Sequence, residues 1–298
     1  MNHQETRAGF VAILGAPNAG KSTLLNHLVG QKLAIVTPKA QTTRAAVRGI
    51  FMEGASQIVL VDTPGIFAPD HAFEKAMVNA AWNGMADADA VLVLVDAARP
   101  LGENTKAIIT ALQQQERKAI LALNKIDKIN KNQLLEKTAE LNTTGVFSDI
   151  FMISALEGDG VAELKAHLAA AMPQSPFLYP EDQVTDISER LLASEITREK
   201  LFMALEQELP YSLTVETESY EVQNNGSVKI NQVIYVQRES QKKIVLGKGG
   251  SQIKEVGRMA REELGKLLGV KVHLFLFVKV REKWKDNPEI YRYLGLEK

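Results

Sequence analysis

Gly15-Ala16-Pro17-Asn18-Ala19-Gly20-Lys21-Ser22, followed by Thr23, sets two glycines, a lysine and a hydroxyl at fixed intervals. The spacing answers a physical problem. A triphosphate needs several backbone N–H donors aimed inward at once, together with a cation. Gly15 and Gly20 let the backbone curl with no Cβ in the way, and the curled N–H groups form an anion nest. Lys21 reaches the β- and γ-phosphates, and the Ser22 hydroxyl is placed for Mg2+. Phe10-Val11-Ala12-Ile13-Leu14 before the loop reads as a buried strand, and residues 22–28 read as an amphipathic helix. That helix adds its positive N-terminal end to the site.

Three further segments carry compatible chemistry. Asp62-Thr63-Pro64-Gly65 follows the apolar run Ile58-Val59-Leu60-Val61. A carboxylate there can hold Mg2+ through water, and the Gly65 N–H can approach a γ-phosphate because no side chain blocks it. Asn124-Lys125-Ile126-Asp127 ends another apolar run. Asp127 can accept two hydrogen bonds from guanine N1–H and N2–H, where adenine offers no donor, so the segment selects the base. Asn124 is expected to tether neighbouring loops, and the Lys125 stem to cover the base face. Ser154-Ala155-Leu156 ends the next strand and can offer a backbone N–H to the guanine oxygen. Between the first helix and Asp62, Thr37-Pro38-Lys39-Ala40-Gln41-Thr42-Thr43-Arg44 has few core anchors. Thr43 is the expected hydroxyl ligand of Mg2+ and the γ-phosphate, with Thr42 as its rival. A segment ordered by a γ-phosphate and released on hydrolysis is one way to build a switch.

The elements that must position these residues are legible in the pattern. The 298-residue chain is 45% hydrophobic and 24% charged, as in ordinary globular proteins of one or two domains. It has no cysteine, which excludes disulfides, thiolate zinc sites and a thiol nucleophile. The net charge of −1 leaves nucleic-acid affinity to a local patch. The N-terminus lacks secretory-signal character, and no apolar run nears the roughly 18 residues of a bilayer span, so a cytoplasmic location is expected. Short continuous apolar runs, joined later by residues 91–95, 119–123 and 149–153, alternate with helical stretches such as 73–85 and 105–115. This predicts an α/β domain with a mostly parallel, doubly wound sheet over residues 1–174. Three prolines among residues 172–180 predict a linker over 175–184. Residues 185–298 then read as α+β. A helix starts near Asp186 and Glu189, and two strands join through an Asn224-Asn225-Gly226 hairpin turn. A helix–glycine loop–helix over 242–268 and a last strand over 270–280 follow.

The second glycine loop, Gly247-Lys248-Gly249-Gly250, lies between two short helical stretches. Glycines there let a sugar-phosphate backbone approach, and Lys248 adds charge. Ile244, Ile253 and Val256 can line an apolar groove for bases. Arg238, Lys242, Lys243, Lys254, Arg258 and Arg261 supply phosphate attraction. The Gly-x-x-Gly in this element order resembles a type II KH domain, which clamps single-stranded RNA. Trp284, Tyr291 and Tyr293 in the tail could stack on bases, but are better read as docking on their own domain.

The first four segments resemble a small regulatory GTPase domain. One departure from the Ras pattern matters: the glutamine that orients the attacking water is replaced by Ile66, followed by Phe67. Slow intrinsic hydrolysis, assisted by a partner or a cation, is therefore expected. Lys21, Thr43 and Gly65 carry the transition-state contacts. Asn18 matches an asparagine that some bacterial-type GTPases use to hold K+. A P-loop GTPase domain followed by a type II KH domain, with Gln41-Thr42-Thr43-Arg44 in order between the motifs, resembles the Era family. The resemblance implies a GTP-hydrolysing switch that binds GTP and GDP and meets the 3′ end of small-subunit rRNA. It also implies a role in small ribosomal subunit maturation and peripheral contact with the inner membrane. A monomer without a DNA partner is expected. Relatives acting in tRNA modification would need a second catalytic domain, often with a terminal cysteine. Double-GTPase relatives would need a second phosphate loop. Neither is present in this sequence. An RNA-binding assembly scaffold with incidental hydrolysis and a membrane-associated signalling GTPase are the alternatives.

Overall fold

The computed structural model describes residues 5–37, 39, 43–45 and 47–296. It contains two compact units: the first covers residues up to Ala34 and Thr43–Asp186, and the second covers Ile187–Gly295 together with the described part of residues 35–42.

In the first unit the order is β1 (Arg7–Gly15), α1 (Lys21–Val29), β2 (Val47–Glu53), β3 (Ser56–Asp62), α2 (Ala72–Ala86), β4 (Ala90–Asp96), α3 (Glu103–Gln114), β5 (Ala119–Asn124), α4 (Lys131–Asn142), β6 (Phe147–Ile153) and α5 (Val161–Ala171). The sheet order is β2-β3-β1-β4-β5-β6, parallel throughout except for β2 against β3. The apolar runs are buried on both faces, as a sheet covered by helices requires. β1 sits between β3 and β4, where the winding reverses, so the loops at the carboxyl ends of these strands open onto one crevice.

Sequence reasoning passed over β2. Its Val-Arg-Gly-Ile-Phe-Met-Glu is not a continuous apolar run, and its pairing is a tight hairpin through Gly54 at φ 58°. Residues 175–184, expected to be a linker, lie within the first unit. The Gln57 carboxamide clamps them, accepting from the N–H groups of Leu178 and Tyr179 and donating to the Tyr179 carbonyl. Ile50 N–H donates to Val184 O along the open edge of β2, which covers that edge.

The second unit comprises α6 (Glu189–Ala204), β7 (Leu213–Val222), β8 (Val228–Val236), α7 (Glu239–Leu246), α8 (Ser251–Leu268), β9 (Val272–Val280) and α9 (Pro288–Tyr293). Its sheet order is β7-β8-β9, with β8 and β9 parallel. Two local expectations need correction. Ser188, not Asp186, caps α6, its hydroxyl accepting from Leu191 N–H, while Asp186 is taken by Arg48. In the hairpin only Gly226 takes a positive φ, so the turn is a longer loop closed by one left-handed glycine, not a two-residue Asn-Gly turn. The tail docks on its own unit. Trp284 is fully buried with its indole N–H on Ser212 O, and the Tyr293 hydroxyl bonds Ser194 Oγ at 2.8 Å.

Candidate nucleotide site and nucleic-acid interface

The predicted phosphate and metal residues converge at the carboxyl ends of β1 and β3. Ser22 Oγ donates to Asp62 Oδ2 at 2.7 Å and lies 2.9 Å from Thr43 Oγ1, which is itself 3.4 Å from the same oxygen. Thr42 falls outside the described residues, so the structure speaks only for Thr43 of the two candidates. Lys21 Nζ donates to the carbonyls of Gly15 and Ala16. Thr63 Oγ1 ties to Ile13 O, fixing the turn after β3 against β1. Pro64 separates it from Gly65, whose missing Cβ would stand about 3.1 Å from the Pro17 ring and backbone. Gly65 is itself buried, and the missing Cβ lets this turn pack directly on the phosphate loop. Ile66 turns its side chain into the core and its N–H onto Gly15 O, so it presents nothing to a water.

Burial pushes the Lys21 ammonium below its usual range, and burial likewise pushes the Asp62 carboxyl up, each partly offset by the other's charge. Asp62 Oδ1 is buried with no hydrogen-bond partner. Two half-compensated charges, two hydroxyls and an orphaned carboxylate oxygen suit an Mg2+–triphosphate, whose opposite charges supply what each group lacks. Mg2+ would rest on Ser22, Thr43 and, through water, Asp62. When bound it would neutralise charge on the β- and γ-oxygens.

The base side is equally assembled. Asn124 Nδ2 donates to Ala19 O at 2.8 Å, and its Oδ1 accepts from Ala155 N–H at 2.9 Å. One carboxamide thus holds the phosphate loop and the Ser154-Ala155-Leu156 loop. A Cβ at Gly20, which sits at φ 104°, would lie 2.2 Å from Asn124 Nδ2, so only glycine fits. Ser154 Oγ donates to Asp127 Oδ1 at 2.7 Å, which fixes the orientation of the carboxylate. Lys125 Nζ bonds Asn18 O and Asp96 Oδ2, stretching its stem along the base side of the loop. Asp96 was missed by sequence reasoning. The available signal was its position at the end of β4, level with Asn124 in the register. Thr23 continues α1, and Leu156 is exposed at the rim.

In the second unit, Gly247-Lys248-Gly249-Gly250 bridges α7 and α8. Gly249 and Gly250 adopt φ 60° and 78° with open space where a Cβ would stand, so a backbone can approach closely. Lys248 and Lys254 are exposed, Ile244 is half exposed, and Ile253 packs on the buried cluster under the helices. Val256 is fully buried and belongs to the core, so it cannot line a groove. Arg258 is claimed by Glu255 and Glu262 at 2.6 and 2.7 Å, which holds its guanidinium above its usual range. A phosphate would have to displace those carboxylates.

Residues 10–125 match the family described as 50S ribosome-binding GTPase, and residues 208–285 match the KH domain. The chain is 55% identical to the GTPase Era of Brucella suis over 98% of this chain and 94% of that protein. It is 52% identical to the GTPase Era of Dinoroseobacter shibae over 99% and 97%. The chain belongs to the Era family. A solved Aquifex aeolicus Era variant bound to GDP and AlF4− superposes with a TM-score of 0.93 at 37% identity, over 98% of this chain and all of that one. An Era complexed with MgGDPNP and nucleotides 1506–1542 of 16S ribosomal RNA gives the same figures. Era-family membership makes this chain a GTPase with a P-loop domain and a KH domain.

Asp127→Asn should therefore lower GTP affinity at least about 100-fold, because the replacement amide presents a donor to the guanine donors. Xanthosine triphosphate should be held better by the variant than by the wild type. Titration calorimetry with both nucleotides checks this, and unchanged GTP affinity would remove Asp127 from base recognition.

Proposed function

We propose that this chain is a GTP-timed clamp for the 3′ end region of small-subunit rRNA, acting during assembly of the small ribosomal subunit. The observation that carries the reading is the pairing, in one chain, of a complete guanine-nucleotide site with a Gly-Lys-Gly-Gly loop open to a nucleic-acid backbone. The Era complex with 16S nucleotides supports the choice of RNA. The description of the broad G-domain family names the large subunit, but the Era likeness covers 98% of the chain and is the narrower guide.

Hydrolysis proceeds by in-line attack of water on the γ-phosphate. Lys21 and the loop N–H groups stabilise the charge that spreads over its oxygens. Thr43 closes the site, and Gly65 offers its N–H. With Ile66 in the core, no side chain at that position orients the water, so the unassisted rate is slow. Asn18, held at φ 64° in the loop, is the residue we assign to a K+ that supplies part of the missing charge. Coupling to RNA runs through the segment leading into Thr43. Val36 N–H donates to Glu199 Oε1 of α6, and this segment groups with the second unit. Mg2+ and GTP/GDP complete the ligand set. A monomer in the cytoplasm, touching the inner membrane peripherally, is the reading for the rest, and sedimentation with anionic vesicles tests the last part.

Two outcomes follow. Replacing Na+ by K+ should raise single-turnover hydrolysis at least about fivefold, and Asn18→Ala should abolish the difference. Equal rates in both salts would remove the potassium assignment. Crosslinking the protein, loaded with a non-hydrolysable GTP analogue, to cellular RNA should recover the 3′ end of small-subunit rRNA. Gly249→Asp/Gly250→Asp should lose it. RNA spread without enrichment, or no RNA, would favour a signalling role instead.

A further inference from the structure

β9 is the edge strand of the three-stranded sheet and presents apolar residues on both faces. Leu274, Leu276, Val278 and Val280 pack inward against the cores under α6, α7 and α8. By the two-residue alternation of a strand, Phe275 and Phe277 project from the opposite face. They are 47% and 51% exposed, among the few large apolar side chains left open on the chain. The cross-strand register places Asn231 beside Phe275 and Val233 beside Phe277. Lys229 and His273 face each other at one end of the aromatic pair, and Tyr235 and Lys279 at the other. Lys279 is bonded to Glu218 on β7, and Arg281 lies over the Tyr235 ring at 5.5 Å.

This composition is that of a stacking platform. Two half-open rings about 6.6 Å apart along a strand offer π-faces to successive bases. Lys229 at one end and Arg281 at the other mark a sugar-phosphate track, with Lys279 held by Glu218 between them, and Asn231 borders the rings. Exposed sheet aromatics with this arrangement serve single-stranded RNA in other sheet-based binders. β9 is also joined to the helix that follows the glycine loop, because Gly257 of α8 faces the Leu276 side chain and Ile253 and Leu276 pack on the same buried cluster. A Gly-x-x-Gly loop clamps about four nucleotides. The 16S segment in the related Era complex runs from 1506 to 1542, far more than such a loop can hold.

We propose that the outer face of β9, built on Phe275 and Phe277, is a second RNA-binding surface that stacks unpaired bases of the strand leaving the glycine loop. The proposal rests on the RNA reading above. It extends the contact from the loop to a sheet face, and it makes RNA length a determinant of affinity.

The test uses the full chain with a GTP analogue and two RNAs from the 3′ end of its own small-subunit rRNA. One is six nucleotides long and fills only the loop; the other extends to about forty. Phe275→Ala/Phe277→Ala should weaken the long RNA at least about twentyfold, since each lost base–ring stack costs about fivefold or more. Binding of the short RNA should stay within twofold, which also reports that the unit is folded. In the wild type, 4-thiouridine placed in the long RNA should crosslink to the peptide carrying these residues. Long-RNA affinity unchanged in the variant would overturn the proposal. So would an unchanged RNA affinity with weaker binding to the small ribosomal subunit, which would assign the face to a ribosomal protein. Wild-type protein that binds neither RNA would defeat the RNA reading itself. A short RNA bound normally with the long one no tighter would defeat only this surface.

Discussion

The carboxamide of Asn124 is the joint on which the nucleotide site depends. Its two ends hold Ala19 O and Ala155 N–H, so three loops from three separate strands share one side chain. Each bond is modest alone, but both partners are buried, and a severed bond would leave a polar group without water. The constraint propagates outward. Gly20 must lack a Cβ because Asn124 occupies that space. With the phosphate loop fixed, Lys21 and Ser22 face Asp62, and with the last loop fixed, Ser154 reaches Asp127. The Gly15–Ser22 loop and the loops that carry Asp127 and Ser154 are thus mechanically one assembly, although they lie over a hundred positions apart in the chain.

The second unit solves a different problem, that of holding a glycine loop firmly while leaving it open. α7 and α8 anchor it on a sheet whose inner face is aliphatic, and Gln252 ties the start of α8 to Ala204 O at the end of α6. α6 itself carries a buried ion pair, Arg198 with Glu195 at 2.5 Å, and a second cluster in which Lys200 meets Glu199 and Glu263. Such pairs add little net stability but are costly to break singly. Glu199 also accepts from Val36 N–H, which holds that residue on the same helix.

Much of this was legible in the chain because the motif residues sit where apolar runs end. Continuous runs such as Val91-Leu92-Val93-Leu94-Val95 can only be strands buried on both sides, so their carboxyl ends had to meet in one crevice. What escaped depends on pairing, which a linear pattern does not display. β2 is an antiparallel addition with mixed polarity, and Asp96 acquires meaning only from its register with Asn124. The Arg258 guanidinium looked free until Glu255 and Glu262, one turn away on each side, were seen to claim it. Val256 looked like groove lining because helical periodicity does not distinguish the face toward RNA from the face toward the sheet.

On the proposed function, the first glycine loop times the grip of the second. The most direct measurement is the affinity of the full chain for one RNA from the 3′ end of small-subunit rRNA, taken with a GTP analogue and with GDP. The two affinities should differ at least about fivefold, with RNA shifting the preference between the two nucleotides by the same factor, as linkage requires. Equal RNA affinity in the two nucleotide states would contradict it.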